Sequence, residues 1–319
     1  RIGKSSIKSI PGYSAGFKAS LTGTAKELFQ NLRFSSGKKD EVVLAACYFI
    51  INHFDRVKSE SDKTEAVESE QVISTKSSLA KLIKEYGSIR LKVGDEVFGV
   101  LETGRDGTYC EKLAVGAAVV AKKPASLGHV DATALALIGL TAICAVEESL
   151  KLQKGETILI QGGAGGVAGF AIQLAKHLGA RVISTASAGN VDYVKSLGAD
   201  QVIDYNAQDF TKVLSGIDAV FETVGGDVAT RSFQVLKPGG RATFIASGPT
   251  APKPERSDVI ALRPAVPRTR DRMERVAELY TRGAVKVPPV TLYALADAAK
   301  AVQVSAARHL KGKLVFKLR

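Results

Sequence analysis

The chain contains no tryptophan, one methionine, three cysteines and four histidines in 319 residues. The cysteines, Cys47, Cys110 and Cys144, are odd in number and far apart. That argues against a disulfide scaffold and for a reducing compartment. The histidines, His53, His129, His177 and His309, stand at metal-ligand spacing neither with one another nor with the cysteines, so no metal site is expected. His177 falls on a helical stretch as a surface residue, and Cys47 sits in an apolar run where packing is its expected role. Long apolar runs are lacking too: none approaches the roughly 18 to 20 residues of a membrane span, and none is expected to cross a bilayer.

Acidic residues are scarce at the start. Residues 1–39 carry eight Lys or Arg and seven Ser against a single acid, Glu27. This composition is that of an organelle transit segment; the reading favoured here is a basic first segment of the mature domain, in a cytoplasmic protein. Asp40 to Ile51 is apolar and β-prone, which predicts a buried strand, and residues 59–70 are acidic and polar, which predicts a surface loop. With 45% hydrophobic residues and a mean hydropathy of +0.06, the length allows two domains with cores of their own.

What is present is concentrated in residues 156–176, ETILIQGGAGGVAGFAIQLAK. Glu156 to Gln161 reads as a buried parallel strand. Gly162 to Gly169 places five glycines in eight residues, and Phe170 to Lys176 resumes with helical spacing. Strand, glycine turn and helix in that order form the first half of a dinucleotide-binding βαβ unit. Gly163 permits the tight turn, Gly165 lets the main chain approach a pyrophosphate, and Ala168 fills the helix-to-strand packing slot. The helix N-terminus supplies N–H donors and a positive dipole.

Around this turn the pattern divides. Val93 to Val100 is a turn opening a strand, and Tyr109 to Val115 and Ala118 to Lys122 read as further short strands. Strands without intervening helices predict a small β domain, and Pro124 marks the transition. Val130 to Val146 is helical, with a break expected near Gly139. After the glycine turn, strands are expected at Arg181 to Ala186, Gln201 to Tyr205, Asp218 to Thr223, Arg241 to Ala246 and Asp258 to Leu262. Helices are expected at Asn190 to Leu197 and Val228 to Leu236, the latter stopped by Lys237-Pro238-Gly239-Gly240. An amphipathic helix at Asp271 to Gly283 precedes a tail of strand and short helix. The architecture is α/β, a doubly wound parallel sheet with ligands expected at the carboxyl ends of its strands.

An acid at the end of the second strand would bond the adenine ribose of NAD. Here that place reads Ser184, Thr185, Ala186, Ser187, and no acid follows until Asp192. Small hydroxyls and an amide would accept a 2′-phosphate, so NADP(H) is the expected cofactor. The net charge of +12 raises polyanion binding, but no basic run is interleaved with aromatics as single-strand binders require. Nucleic acid is therefore not the expected partner, and some of the cationic groups serve a phosphorylated cofactor. An S-adenosylmethionine methyltransferase is a second reading of LKPGGRATF (236–244), weakened by the β-rich early part and the missing acid.

Taken in order and spacing, VGDEVFGV, GTYCEKLAV, IGLTA, QGGAGGVAGFAIQLAK, SLGADQVIDY, FETVGGD, LKPGGR and HLKGKLVFK resemble the medium-chain dehydrogenase/reductase superfamily. More narrowly they are similar to its zinc-free quinone oxidoreductase and enone reductase branch. The likeness covers residues 93–319. The resemblance implies a Rossmann domain at 124–284 and a GroES-like β domain built from 1–123 with 285–319, the cofactor lying between them, and a homodimer. It implies cofactor contacts at Gly163, Ala164, Gly165, Gly166 and Val167 on the turn. Further contacts are implied at Ser187, Asn190 and Tyr205 by the adenine ribose, and at Val224 and Ser247 beyond later strands. The family's phosphate-binding lysine is replaced by Asn190. Beside the nicotinamide it implies Asn52, from N-x-x-D at 52–55, and Thr141; Tyr48 or His53 is the candidate proton donor. Before Val93 the chain departs from the family pattern: P-G-x-D-x-A-G is missing ahead of VGDEV, and IPGYSAG (10–16) stands too early.

Without zinc to polarise a carbonyl, the reaction implied is hydride transfer to an electron-poor acceptor, a quinone or an α,β-unsaturated carbonyl. The alternative is a crystallin-like or RNA-binding protein that keeps the cofactor as a structural ligand.

Overall fold

The computed structural model describes residues 91, 92, 94–101, 108–110, 112, 113, 115–307 and 310–318. The strand expected at Asp40 to Ile51, the loop at 59–70, and Cys47, Tyr48, Asn52, His53 and His309 lie outside the described residues.

Six parallel strands form the central sheet: β3 (Thr157–Ile160), β4 (Arg181–Ala186), β5 (Gln201–Asp204), β6 (Ile217–Glu222), β7 (Leu236–Phe244) and β8 (Ile260–Leu262). Their spatial order is β5-β4-β3-β6-β7-β8, so the strand order reverses at β3, between β4 and β6. This is the Rossmann arrangement, with its ligand crevice outside the carboxyl ends of β3 and β6. β3 is central because every residue of its apolar run can be buried. Ile158 and Ile160 pack into one hydrophobic cluster and Leu159 into the cluster on the opposite face, as the two-residue period of a strand dictates. Each such burial contributes about 1.5–3 kcal/mol.

Helices α1 (His129–Ile143), α2 (Gly166–His177) and α6 (Arg270–Thr281) share the cluster of Ile158 and Ile160. The break expected near Gly139 is absent, and α1 runs through it. A Cβ on Gly139 would lie 2.7 Å from Val276 Cγ2 and 3.0 Å from Phe170 Cε2; the glycine lets α1 sit close to α6 and α2. A π-helical turn, Cys144–Ser149, extends α1. The stretch His129–Ser149 has 21 residues and a mean hydropathy of 1.8 in its most apolar window. By length and composition it could cross a membrane, contrary to expectation from the sequence, but most of it is buried against the sheet and its helices.

The remaining helices are short: α3 (Val191–Ser196), α4 (Phe210–Val213), α5 (Asp227–Arg231) and α7 (Ala298–Ala306). The helix expected to reach Leu236 ends earlier, as α5 followed by a 3₁₀ turn, Ser232–Val235. Lys237 to Gly240 is a bulge inside β7 rather than a helix stop. Ile217 pairs with Leu236 and Ala219 with Arg241, so the β7 residues between them bulge out of register.

Outside the sheet, β1 (Val97–Gly99) pairs antiparallel with β2 (Val120–Lys122). The expected strand at Tyr109 to Val115 does not form over its described residues. At the C-terminus, β9 (Val290–Ala294) pairs in parallel with β10 (Lys313–Lys317), α7 making the crossover. Gly312 leads into β10 with φ +80°, and a Cβ there would lie 2.0 Å from Pro289 O, which restricts the position to glycine. Its N–H donates to Ala164 O at 3.2 Å, anchoring the C-terminal strand to the glycine turn.

Candidate nucleotide and active site

The glycine turn begins where β3 ends. Gly162 has φ +70°, the left-handed conformation that favours glycine; this residue, rather than Gly163, makes the reversal. Gly163 is required for packing, because a Cβ there would lie 2.3 Å from Ser184 Oγ and 2.9 Å from Val194 Cγ1. Gly165 is different. It has φ −72° as the N-cap of α2, and among the described residues the one atom within 4 Å of a Cβ built on it is Gly162 O at 3.3 Å. Its φ does not require glycine, a side chain there would press on one backbone oxygen by a few tenths of an ångström, and its bareness leaves room beside the turn for an incoming group. Gly165 gives the first turn of α2, from Gly166, no side-chain cap, and among the described residues no side chain bonds the N–H groups of that turn, which suits an anion.

The loop after β6 faces this turn across the crevice. A Cβ on Gly162 would lie 3.1 Å from Thr223 Oγ1 and 3.2 Å from Val224 Cγ2, and Thr223 Oγ1 donates to Gln161 O at 2.8 Å. Glu222, at the end of β6, is fully buried. One carboxylate oxygen, Oε1, accepts from the N–H groups of Val224 at 2.6 Å and Gly225 at 2.8 Å. Desolvation raises its pKa above the usual carboxylate value, against the lowering effect of those two donors. Among the described residues the other oxygen, Oε2, has no partner. Val224 itself is exposed. A Cβ on Gly225 would lie 2.6 Å from Ala246 O, so the loop bearing Ser247 adjoins it; Ser247 Oγ donates to Thr250 O at 3.3 Å.

At the end of β4 the structure corrects one expectation. Ser184 and Thr185 are buried and support the turn from beneath. Ser184 Oγ donates to Ile160 O at 2.6 Å, Thr185 Oγ1 to Gln161 Oε1 at 2.7 Å, and Gly162 N–H to Thr185 Oγ1 at 3.0 Å. Their hydroxyls are committed to the fold. Of the four residues expected to receive a phosphate, Ser187 alone remains partly exposed, and Asn190 Nδ2 donates to its Oγ at 3.0 Å. Tyr205, half exposed, lies alongside, its N–H bonded to Ala186 O at 3.2 Å.

Thr141 stands on α1 one turn beyond Ile138, whose Cγ2 would lie 3.2 Å from a Cβ on Gly166. The helix thus adjoins the turn, and Thr141 Oγ1 donates to Leu137 O at 2.8 Å, leaving its lone pairs to accept. The reading of the sequence missed Lys313. Its Cδ would lie 2.8 Å from a Cβ on Gly166, and burial lowers its pKa from the ordinary lysine value. Among the described residues no carboxylate pairs with it. The motif HLKGKLVFK was the available signal, but sequence spacing does not show a lysine packed on the first turn of α2.

Residues 197–316 match a family model described as zinc-binding dehydrogenase. In structure, the chain is similar to the quinone oxidoreductase from Coxiella burnetii, 30% identical with a TM-score of 0.67, over 72% of this chain and 74% of that one. The chain belongs to the medium-chain dehydrogenase/reductase superfamily. Among curated proteins it is 33% identical over 236 residues to a 2-methylene-furan-3-one reductase of Solanum lycopersicum. It is 30% identical over 239 residues to a chloroplastic NADPH-dependent alkenal/one oxidoreductase of Arabidopsis thaliana. Each match takes in 71% of this chain and 60% of the relative, so the chain spans about three fifths of the length of these curated relatives. Members of this superfamily share the Rossmann sheet and a GroES-like domain, and membership replaces the methyltransferase reading. The matching model's description mentions zinc; among the described residues no group of three or more His, Cys, Asp or Glu could hold a metal ion.

Proposed function

We propose that this medium-chain dehydrogenase/reductase is an NADPH-dependent reductase that delivers hydride to a quinone or an α,β-unsaturated carbonyl without a metal. The observation that carries the reading is the bare turn at Gly165, opening onto an uncapped helix N-terminus at the switch point of the sheet. A dinucleotide fits there: the N–H groups of Gly166 and Val167 and the ammonium of Lys313 would hold its diphosphate, with Ala164 beside them. Ser187, Asn190 and Tyr205 would border the adenine ribose, Val224 and Ser247 the far side of the crevice. The cofactor supplies the hydride. Residues 1–123 with 285–319 form the substrate-side domain in this reading, and Thr141 and Asn52 orient the nicotinamide.

An activated acceptor suits such a site, because resonance stabilises the enolate or phenolate that develops and alignment does the rest. The names of the enone-reducing and quinone-reducing relatives support the substrate class. The test is a titration with NADPH followed by a panel of quinones and enones. NADPH binding with turnover of one class supports the proposal; NADPH binding with turnover of neither overturns it in favour of a cofactor-keeping, non-enzymatic role.

A further inference from the structure

Lys311 stands just before the glycine that anchors the C-terminal strand. Its Nζ lies 4.5 Å from the ring centre of Tyr193 on α3. Two constraints fix its stem. Gly312 N–H is bonded to Ala164 O, and Gly312 bridges to Gly165 in parallel register. The side chain therefore starts at the glycine turn and reaches over toward α3, whose preceding 3₁₀ turn, Ala188–Asn190, carries Asn190. Tyr193 is one helical turn beyond Asn190, its hydroxyl 3.9 Å from a Cβ built on Gly169 of α2, so the ammonium stands between the glycine turn's helix and the helix that Asn190 precedes. Lys311 is exposed, and among the described residues no carboxylate pairs with it. Its neighbour in the fold, Tyr193, is held partly buried, and a cation over its face stays in place without being neutralised.

The end of β4 shows what this cation could serve. Ser184 and Thr185 are spent on the turn, and Ser187, Asn190 and Tyr205 remain, none of them a cation. A 2′-phosphate on the ribose carries close to two negative charges, and neutral donors alone would discriminate weakly for it. We propose that Lys311, delivered from the C-terminal segment, is the cationic determinant of preference for a 2′-phosphorylated dinucleotide. This rests on the NADPH reading above. Lys313, farther inside on Gly166, would serve the diphosphate that NADPH and NADH share, so the two lysines separate in their effects.

The experiment measures dissociation constants of NADPH, NADH, adenosine 2′,5′-bisphosphate and 5′-AMP by fluorescence quench and competition. The proteins are the full chain and its K311Q and K311R variants, each checked for an unchanged melting temperature. The expected result is roughly tenfold weaker NADPH and 2′,5′-bisphosphate binding in K311Q, with NADH and 5′-AMP within twofold of the parent and K311R near the parent. Equal weakening of all four ligands would assign Lys311 to the shared phosphate and overturn the proposal. No change in any would overturn it too. If the parent chain bound NADH more tightly than NADPH, the cofactor reading itself would fail, and that is seen before any variant is made.

Discussion

Lys313 lies along the face of Gly166: a Cβ on the glycine would come 2.8 Å from Lys313 Cδ and 3.2 Å from its Cγ. One residue opens the first turn of the helix after β3, and the other opens the last strand of the chain. The contact lays the aliphatic stem of a half-buried lysine along the first turn of that helix.

Replacing Lys313 by Met keeps the packing and removes the charge. Affinity for NADPH and NADH should fall together, by about ten- to a hundredfold, since a charge-assisted bond to the shared diphosphate is worth about 1.5–3 kcal/mol. Burial lowers the lysine pKa from 10.5, so the cation is lost at a lower pH than that of an exposed lysine. Affinity should therefore decline as pH rises through that lowered value, and the decline should vanish in K313M. Isothermal titration across alkaline pH checks both; an unchanged affinity would remove Lys313 from the site.

Two glycines of the turn should answer differently to a side chain. G163A drives a methyl into buried Ser184 and Val194, and should cost about 1–3 kcal/mol of stability, read as a lowered melting temperature. G165V meets one backbone oxygen among the described residues, Gly162 O at 3.3 Å from the Cβ, and should melt closer to the parent than G163A does while losing dinucleotide binding. If G165V lost stability and affinity together, the open main chain at Gly165 would be a packing feature.

Glu222 makes a pH-dependent contribution. Its folded pKa lies above the ordinary carboxylate value because it is buried, so its contribution to stability is full below the unfolded value and is lost as pH rises through the folded one. E222Q keeps an acceptor for Val224 and Gly225 and cannot ionise. It should match or exceed the parent in melting temperature at neutral pH and show a flatter profile above about pH 4.5. E222A should lower the melting temperature at all pH values and weaken cofactor binding, because the loop at Thr223 to Gly226 loses its anchor.

Metal independence follows from the proposed chemistry. Quinone or enone reduction should survive prolonged EDTA treatment, elemental analysis should find less than one zinc per chain, and simple primary alcohols should not be oxidised. Loss of activity on chelation with recovery on adding zinc would change the reaction class.

The sequence by itself determined the strand, turn and helix at 156–176 and the alternation that follows. Those signals are local: a buried strand needs consecutive apolar residues, and a tight βα turn needs glycine, whatever surrounds it. It also showed the lack of an acid at the end of β4. Only the tertiary structure decided which polar groups there are free, because Ser184 and Thr185 become structural once β3 and the glycine turn lie against them. Gly139 reads as a breaker until α6 and α2 are seen to press on it, and Lys237 to Gly240 reads as a stop until the bulge pairs it into β7. Lys311 and Lys313 come from the far end of the chain, brought to the turn by the bond from Gly312 to Ala164. That neighbourhood is made by chain closure over a long separation, which no pattern of adjacent residues encodes.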